Sequence, residues 1–88
     1  MDNELVSLEE LHKYVVTYLL NDTSLTIAAE EDLLLSGFLD SLSVIRLVTY
    51  LEKQSTLPIP PEDITLENFG TLQRIYDFVN KDLKNRHQ

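Results

Sequence analysis

The sequence predicts an all-α fold: a four-helix bundle of three long helices and one short one, with a long loop after the first. Three observations predict it. Apolar residues recur at helical spacing in three separate segments. No stretch alternates apolar and polar residues as a strand would. Proline and glycine fall between the periodic segments, where they punctuate rather than interrupt.

The 88 residues suit a single domain spanning 1–88. A chain of this size buries only about 60–65% of its unfolded surface. That allows one modest core and little room for a deep catalytic cavity. The first helix is read over residues 5–20, with Leu5, Leu8, Leu11, Val15, Tyr18 and Leu19 as its apolar stripe. Ser7 and Glu10 fit a capping box, which would move the start to residue 7. Asn21 and Asp22 end the pattern.

Residues 21–39 show no clean period, and a loop of that length in a compact domain is functional or partly ordered. A helical turn is allowed within 27–35. Some of Leu33, Leu34 and Leu35 should pack down as anchors. Gly37 supplies a turn that other residues resist, and Phe38 and Leu39 then plug the core.

The second helix spans 41–54, with Asp40 as its N-cap and Leu42, Ile45, Leu47 or Val48, and Leu51 as its buried stripe. Ser43, Arg46, Thr49 and Lys53 face outward. Pro58, Pro60 and Pro61 break regular structure, and Pro61 then starts a short helix over 61–68. Ile64, Leu66 and Phe69 pin that segment. After Gly70, Thr71 caps a last helix over 72–84, with Leu72, Ile75, Tyr76, Val79 and Leu83 inward.

Net charge is −8, unevenly spread: residues 1–73 carry −10 and residues 74–88 carry +2. Such a field repels nucleic acids and anionic membranes and attracts basic protein surfaces. Solubility alone would explain it as well. There is no cysteine, which excludes disulfides, Cys-based zinc sites and a protein thiol. Any thiol chemistry would need a borrowed sulfur. No apolar run approaches the ~20 residues of a membrane span, and the start of the chain lacks a signal-peptide pattern. A cytoplasmic monomer is the expectation.

The constellation that carries chemistry is Gly37-Phe38-Leu39-Asp40-Ser41-Leu42. A long loop ends in a tight turn, and Ser41 then sits at the first turn of a helix. Free N–H groups and positive potential there favour a phosphate. A modifying enzyme can reach an exposed helix start. Asp-Ser before Leu is also an ordinary helix cap, so the dipeptide alone decides nothing.

The wider run LLLSGFLDSLSVIRLVTYLEKQSTLPIPPEDITLENFGTLQRIYDFV, residues 33–79, resembles the acyl and peptidyl carrier protein family. The matching pieces are Asp40-Ser41-Leu42, the helix through Leu51-Glu52, Ile59-Pro60, Glu62-Asp63, and the last helix after Phe69-Gly70-Thr71. The first helix fits the same plan. The resemblance implies an acyl-carrier type of bundle with no bond chemistry of its own. It implies 4′-phosphopantetheine attached covalently to Ser41 by a phosphopantetheinyl transferase, with Asp40 as motif residue and cap. The arm would supply the missing sulfur and show thioester cargo to an adenylating or acyl-loading enzyme and to downstream biosynthetic enzymes.

One departure bears on subtype. The second helix of fatty-acid-synthase carriers is strongly acidic, whereas here it carries Ser43, Arg46 and Lys53, with Glu52 its only acid after the cap. Together with LLLSGFLDSL, this looks more like a stand-alone aminoacyl or peptidyl carrier of a nonribosomal-peptide-type pathway. A fatty acid or polyketide carrier is the alternative. An unmodified acidic helical adaptor is the alternative from another class.

Leu42, Val44, Arg46, Phe38 and Leu39 border Ser41 and are candidate partner contacts. For Phe38 and Leu39, a core role competes. His12 and His87 have no second ligand or nucleophile near them in sequence, so neither a catalytic nor a metal site is expected. Glu30-Glu31-Asp32 lacks EF-hand spacing and reads as a solvated loop face. Tyr14, Tyr18, Tyr50 and Tyr76 read as core-edge aromatics.

Overall fold

The computed structural model describes residues 4–86, so His87 falls outside the described residues. Among these residues there is no strand, and no helix is long and apolar enough to cross a membrane. Helix α1, Leu8–Tyr14, runs without a break into a π-helical stretch, Val15–Leu19. Its start is set by the full capping box. Ser7 Oγ accepts from the Glu10 N–H at 3.0 Å, and the Glu10 carboxylate accepts from the Ser7 N–H at 3.0 Å. The helix therefore begins at Leu8, inside the wider 5–20 range.

The π stretch changes which residues face inward. The Leu20 N–H reaches back five residues to the Val15 carbonyl at 2.8 Å. A turn closed this way holds more residues than an α turn, so the 3.6 spacing that placed Tyr18 inward no longer applies. Tyr18 is 66% exposed, while Val6, Val15 and Val16 are buried.

Helix α2, Ser41–Ser55, follows the long loop. It ends at Thr56 in the left-handed region, φ 58°. Its stripe differs from the expected one. Leu47, Leu51 and Ser55 are buried and Val44 and Val48 are half-buried, but Leu42 and Ile45 are 59% and 61% exposed. The inward direction of α2 is set by Leu47 and Leu51, and Leu42 and Ile45 lie off it. The Glu52 carboxylate accepts from the Ile59 N–H at 2.7 Å, tying the proline segment back to α2.

The single short helix expected over 61–68 is two pieces. A 3₁₀ turn, Pro61–Asp63, ends where Ile64 leaves the helical region, with φ −85° and ψ 84°. Thr65 then caps a separate helix, α3, Leu66–Phe69, its hydroxyl accepting from the Asn68 N–H at 3.2 Å. Phe69 is buried as expected, but Ile64 and Leu66 are exposed. The segment is pinned instead by polar contacts. Asn68 Nδ2 donates to the Asp63 carbonyl at 2.9 Å, and the Arg86 guanidinium pairs with the Asp63 carboxylate.

Helix α4, Leu72–Asp77, is capped by the Thr71 hydroxyl, which accepts from the Arg74 N–H at 3.0 Å. It continues through a π stretch, Phe78–Leu83, and a last α turn, Lys84–Arg86. Leu72, Ile75, Val79 and Leu83 are buried as expected, together with Phe78, which periodicity did not select. The Phe69 and Phe78 rings meet at 5.7 Å, tilted by 49°, an arrangement typical of aromatic pairs.

One core joins α1, α2, α3 and α4 with Ile27, Leu33 and Leu39 from the long loop. Three bonds stitch that loop down. The Ile27 N–H donates to His12 Nε2 at 2.9 Å. The Gln73 N–H donates to the Ala29 carbonyl at 2.9 Å, and the Leu33 N–H to the Gly70 carbonyl at 2.8 Å. His12 thus has a structural task. The stretch 27–35 makes turns but no helix.

Candidate functional site

The site is the junction where the anchored loop enters α2. Leu33 is fully buried, Leu34 half-buried and Leu35 76% exposed, so one leucine of the three is the anchor. Asp32 organises the turn between Leu33 and Ser36. Its Oδ1 accepts from the N–H groups of Leu34 and Leu35 at 3.0 and 2.7 Å. The Ser36 hydroxyl donates to the Asp32 carbonyl at 2.5 Å. Asp32 is therefore a turn-former of the Asx kind and half-buried, which corrects its reading as a solvated loop face. Glu30 and Glu31 beside it are exposed as expected.

Gly37 takes φ 86°, a backbone region that residues with a Cβ resist. The chain then folds back, and the Leu39 N–H donates to the Leu33 carbonyl at 2.9 Å. Leu39 is only 3% exposed and Phe38 is half-buried. Both serve the core. Leu39 turns almost wholly inward, and the little surface it keeps lines the cleft beside Ser41.

Asp40 is extended, φ −99° and ψ −176°, and its Oδ1 accepts from the Ser43 N–H at 2.8 Å. This cap holds the Asp40 carboxyl below the usual carboxylate range. The Ser43 N–H bond is the main cause, with the Ser43 side chain adding to it. The Val44 N–H goes to the Asp40 carbonyl at 3.0 Å. Ser41 is the first residue of α2 and is exposed. Its amide and that of Leu42 stand at the open, positive end of a 15-residue helix.

Beside Ser41 lies a cleft of about 550 Å³, walled by Leu34, Leu39, Val44, Ile45 and Ile64, with Asp40 and Ser41 at its edge. The exposed apolar side chains Leu42, Ile45, Ile64 and Leu66 cluster on α2 and the 3₁₀–α3 segment. Of the candidate partner contacts, Leu42 and Arg46 are exposed and Val44 is half-buried in the cleft wall. Ile45 and Ile64 were missed as site residues. The signal was present: α2 carries more apolar positions than one stripe can bury.

The family model for phosphopantetheine attachment sites matches residues 13–79. The match takes in the loop, α2, α3 and the start of α4's π stretch. No curated protein matches the chain, and no solved structure matches it.

Proposed function

Because this chain belongs to the phosphopantetheine attachment-site family and is a carrier rather than an enzyme, we propose that Ser41 bears its 4′-phosphopantetheine arm and that the cargo is of the adenylate-loaded, aminoacyl or peptidyl kind. The observation that carries the first part is the setting of Ser41. It is an exposed hydroxyl on the first residue of a long helix, beside an apolar cleft.

These surroundings fit the group. The phosphodiester would lie at the positive helix end near the Ser41 and Leu42 amides. The cleft walls would meet the arm's apolar carbons. When attached, the arm supplies a terminal thiol that holds cargo as a thioester. Ser41 itself takes part in one reaction. Its Oγ attacks coenzyme A's phosphate, and a new O–P bond forms as the pyrophosphate bond breaks. Adenosine 3′,5′-bisphosphate leaves, and the serine proton passes to the transferase. Asp40 acts as a positioning residue, fixing the first turn through Ser43.

The subtype is supported by what α2 shows to solvent. Its only acid after the cap, Glu52, is engaged by the Ile59 N–H. The exposed side chains include Leu42, Ile45, Arg46 and Lys53. A face of that kind suits a partner with an apolar or acidic docking surface better than the basic patch that an acidic helix would need.

The test is intact mass after incubation with coenzyme A and a broad-specificity transferase. The expected result is the gain of one phosphopantetheine, absent in Ser41→Ala. No gain with several transferases overturns the carrier reading in favour of an unmodified adaptor. The subtype is tested by offering the modified chain to its adenylating enzymes with amino acids and fatty acids. Loading of fatty acids alone overturns the aminoacyl preference and favours the fatty acid or polyketide alternative.

A further inference from the structure

A second groove lies on the other side of Ile45. Its volume is about 280 Å³, and Tyr14, Tyr50, Ile45, Arg46, Thr49 and Lys53 line it. Ile45 also walls the cleft beside Ser41, so the two depressions are neighbours across one ridge. Ser41, Ile45, Thr49 and Lys53 recur every four residues and share one exposed face of α2.

We infer that this groove is a seat for the cargo, and that the cargo it fits carries an aromatic ring, as an aromatic aminoacyl group does. The inference rests on Ser41 being the attachment point and narrows the cargo of that same site. Three observations carry it. The first is the floor. The Tyr14 and Tyr50 rings stack at 3.9 Å with 13° between their planes. The Tyr14 hydroxyl donates to the Arg46 carbonyl at 3.3 Å, holding the pair against α2. Burial pushes the Tyr50 phenol up from its ordinary value, with the Glu10 charge adding to the shift. A flat ring meets a preset aromatic surface.

The second is size. A cavity of about 150 Å³ holds benzene. The groove, at about 280 Å³, takes one ring with its carbonyl and a substituent, whereas a long alkyl chain outgrows it. The third is charge. Arg46 and Lys53 stand at the rim of a chain whose net charge is −8. The electron-rich face of an aryl ring attracts such cations, while the Glu10 carboxylate, whose charge acts on Tyr50, offsets their repulsion of an ammonium.

Reach is sufficient. Nine residues of helix separate Ser41 from Tyr50, which is about 13.5 Å at 1.5 Å per residue. The arm has about a dozen bonds from phosphorus to sulfur. Extended at the pitch of a peptide chain, it covers about 15 Å. It can therefore run along the exposed face of α2, over Ile45, and set its thioester at the groove.

The experiment loads the chain from benzoyl-, phenylalanyl- and hexanoyl-coenzyme A and verifies each product by intact mass. It then follows the tyrosine ring signals by NMR and the cleavage of each thioester by hydroxylamine. With phenylalanyl and benzoyl cargo, contacts from the cargo ring to the Tyr14 and Tyr50 rings are expected. An aromatic contact of ordinary strength slows hydroxylamine by about 2- to 10-fold. Neither effect is expected with hexanoyl cargo. Both should vanish in Tyr50→Leu. Because that residue is half-buried, the exposed Thr49→Trp, which fills the groove from its own wall, provides a second variant that leaves the core intact. Contacts of either aromatic cargo to Leu34, Val44 and Ile64 instead, or equal behaviour of the three cargoes on a correctly loaded chain, overturn the cargo seat and leave Ser41 as attachment site standing. Failure of the mass increase overturns both.

Discussion

Gly37→Ala and Gly70→Ala should both destabilise the chain, for opposite reasons that can be told apart. At Gly37 a new Cβ meets nothing within 4 Å, but φ is 86°. The cost is conformational alone. The left-handed region costs an L-residue about 1–2 kcal/mol, and the stiffer unfolded chain returns about 0.4–1 kcal/mol. The net loss is at most about 1.6 kcal/mol, or a fall in Tm of up to roughly 6–13 °C. At Gly70, φ is an ordinary −71°. There the new Cβ would sit 2.5 Å from the Leu66 carbonyl oxygen and 3.3 Å from the Arg74 guanidinium. Backbone must move, at about the 1–3 kcal/mol of an overpacked site. The movement disturbs the Gly70 carbonyl that holds the Leu33 N–H, so the loop presenting Ser41 should loosen as well. Asparagine separates the two causes. It tolerates the left-handed region, so Gly37→Asn should melt above Gly37→Ala. At Gly70 the larger side chain should make Asn worse than Ala. Thermal unfolding by circular dichroism gives both orders, and the initial rate of phosphopantetheine transfer reports the loop. If Asn is no better than Ala at position 37, or if Gly70→Ala melts like the parent, the geometric reasoning fails.

Three further outcomes rest on particular contacts. Asn80 Oδ1 accepts from the N–H groups of Leu5 and Val6, and its Nδ2 donates to the carbonyls of Val6 and Tyr76. Asn80→Ala orphans polar groups of the buried Val6 and should cost about 2–4 kcal/mol in urea unfolding, with Asn80→Asp in between. Thr56, a β-branched residue at φ 58°, should be improved by Thr56→Gly. The gain in thermal unfolding is expected at about 0.5–1 kcal/mol, the left-handed strain less the added unfolded-state freedom. The pH dependence has a definite sign. The Asp40 carboxyl is lowered by the Ser43 N–H, and the Asp63 carboxyl by the Arg86 hydrogen bond. Their contribution is therefore present above the unfolded value of about 3.9 and lost as pH falls through the folded values. A Tm series below pH 4 should be less steep in Asp63→Asn. The Tyr76 phenol, raised mainly by its hydrogen bond to Glu4, acts in reverse, and its contribution fades as pH rises through its folded value.

Much of the fold was legible because its signals are local. The Ser7–Glu10 capping box, the Asp40, Thr65 and Thr71 caps and the prolines each act within a turn of chain. Leu72, Ile75, Val79 and Leu83 followed from the period of the last helix, whereas Phe78 did not. What failed was anything that depended on register closed elsewhere. Tyr18 was misplaced because α1 passes into a π stretch, and no residue type between Val15 and Leu19 announces that change. The short helix split because Thr65 captured the Asn68 N–H, which competes with continuing from Pro61. The bonds that fix the long loop, from Ile27 to His12 and from Leu33 to Gly70, join residues far apart in sequence. Length and polarity of the loop contain no trace of them.

The site divides the same way. Ser41 and Asp40 were legible, since a cap and an exposed helix start are properties of a few adjacent residues. The surface around them was not. Periodicity gives the spacing of apolar residues on α2 but not the direction of the core, and α2 has apolar residues over a wider arc than a single stripe. Only packing against α1 settles it, turning Leu47 and Leu51 inward and leaving Leu42 and Ile45 outside. The same packing lays Tyr14 of α1 on Tyr50 of α2. Thus the residues a stripe reading would bury are the ones that border Ser41 in the open. An apolar residue kept in water at a helix start is costly for a carrier of 88 residues, and the cost is understandable if that face is covered in turn by the arm, its cargo and the enzymes that read them. On that reasoning Ile45→Ser should leave unfolding almost unchanged, since the side chain is largely in water already. It should slow the loading and transfer steps, because Ile45 is the ridge shared by both depressions. A variant that instead loses stability, or that is loaded and unloaded at the parent rate, would show that the exposed isoleucine serves neither.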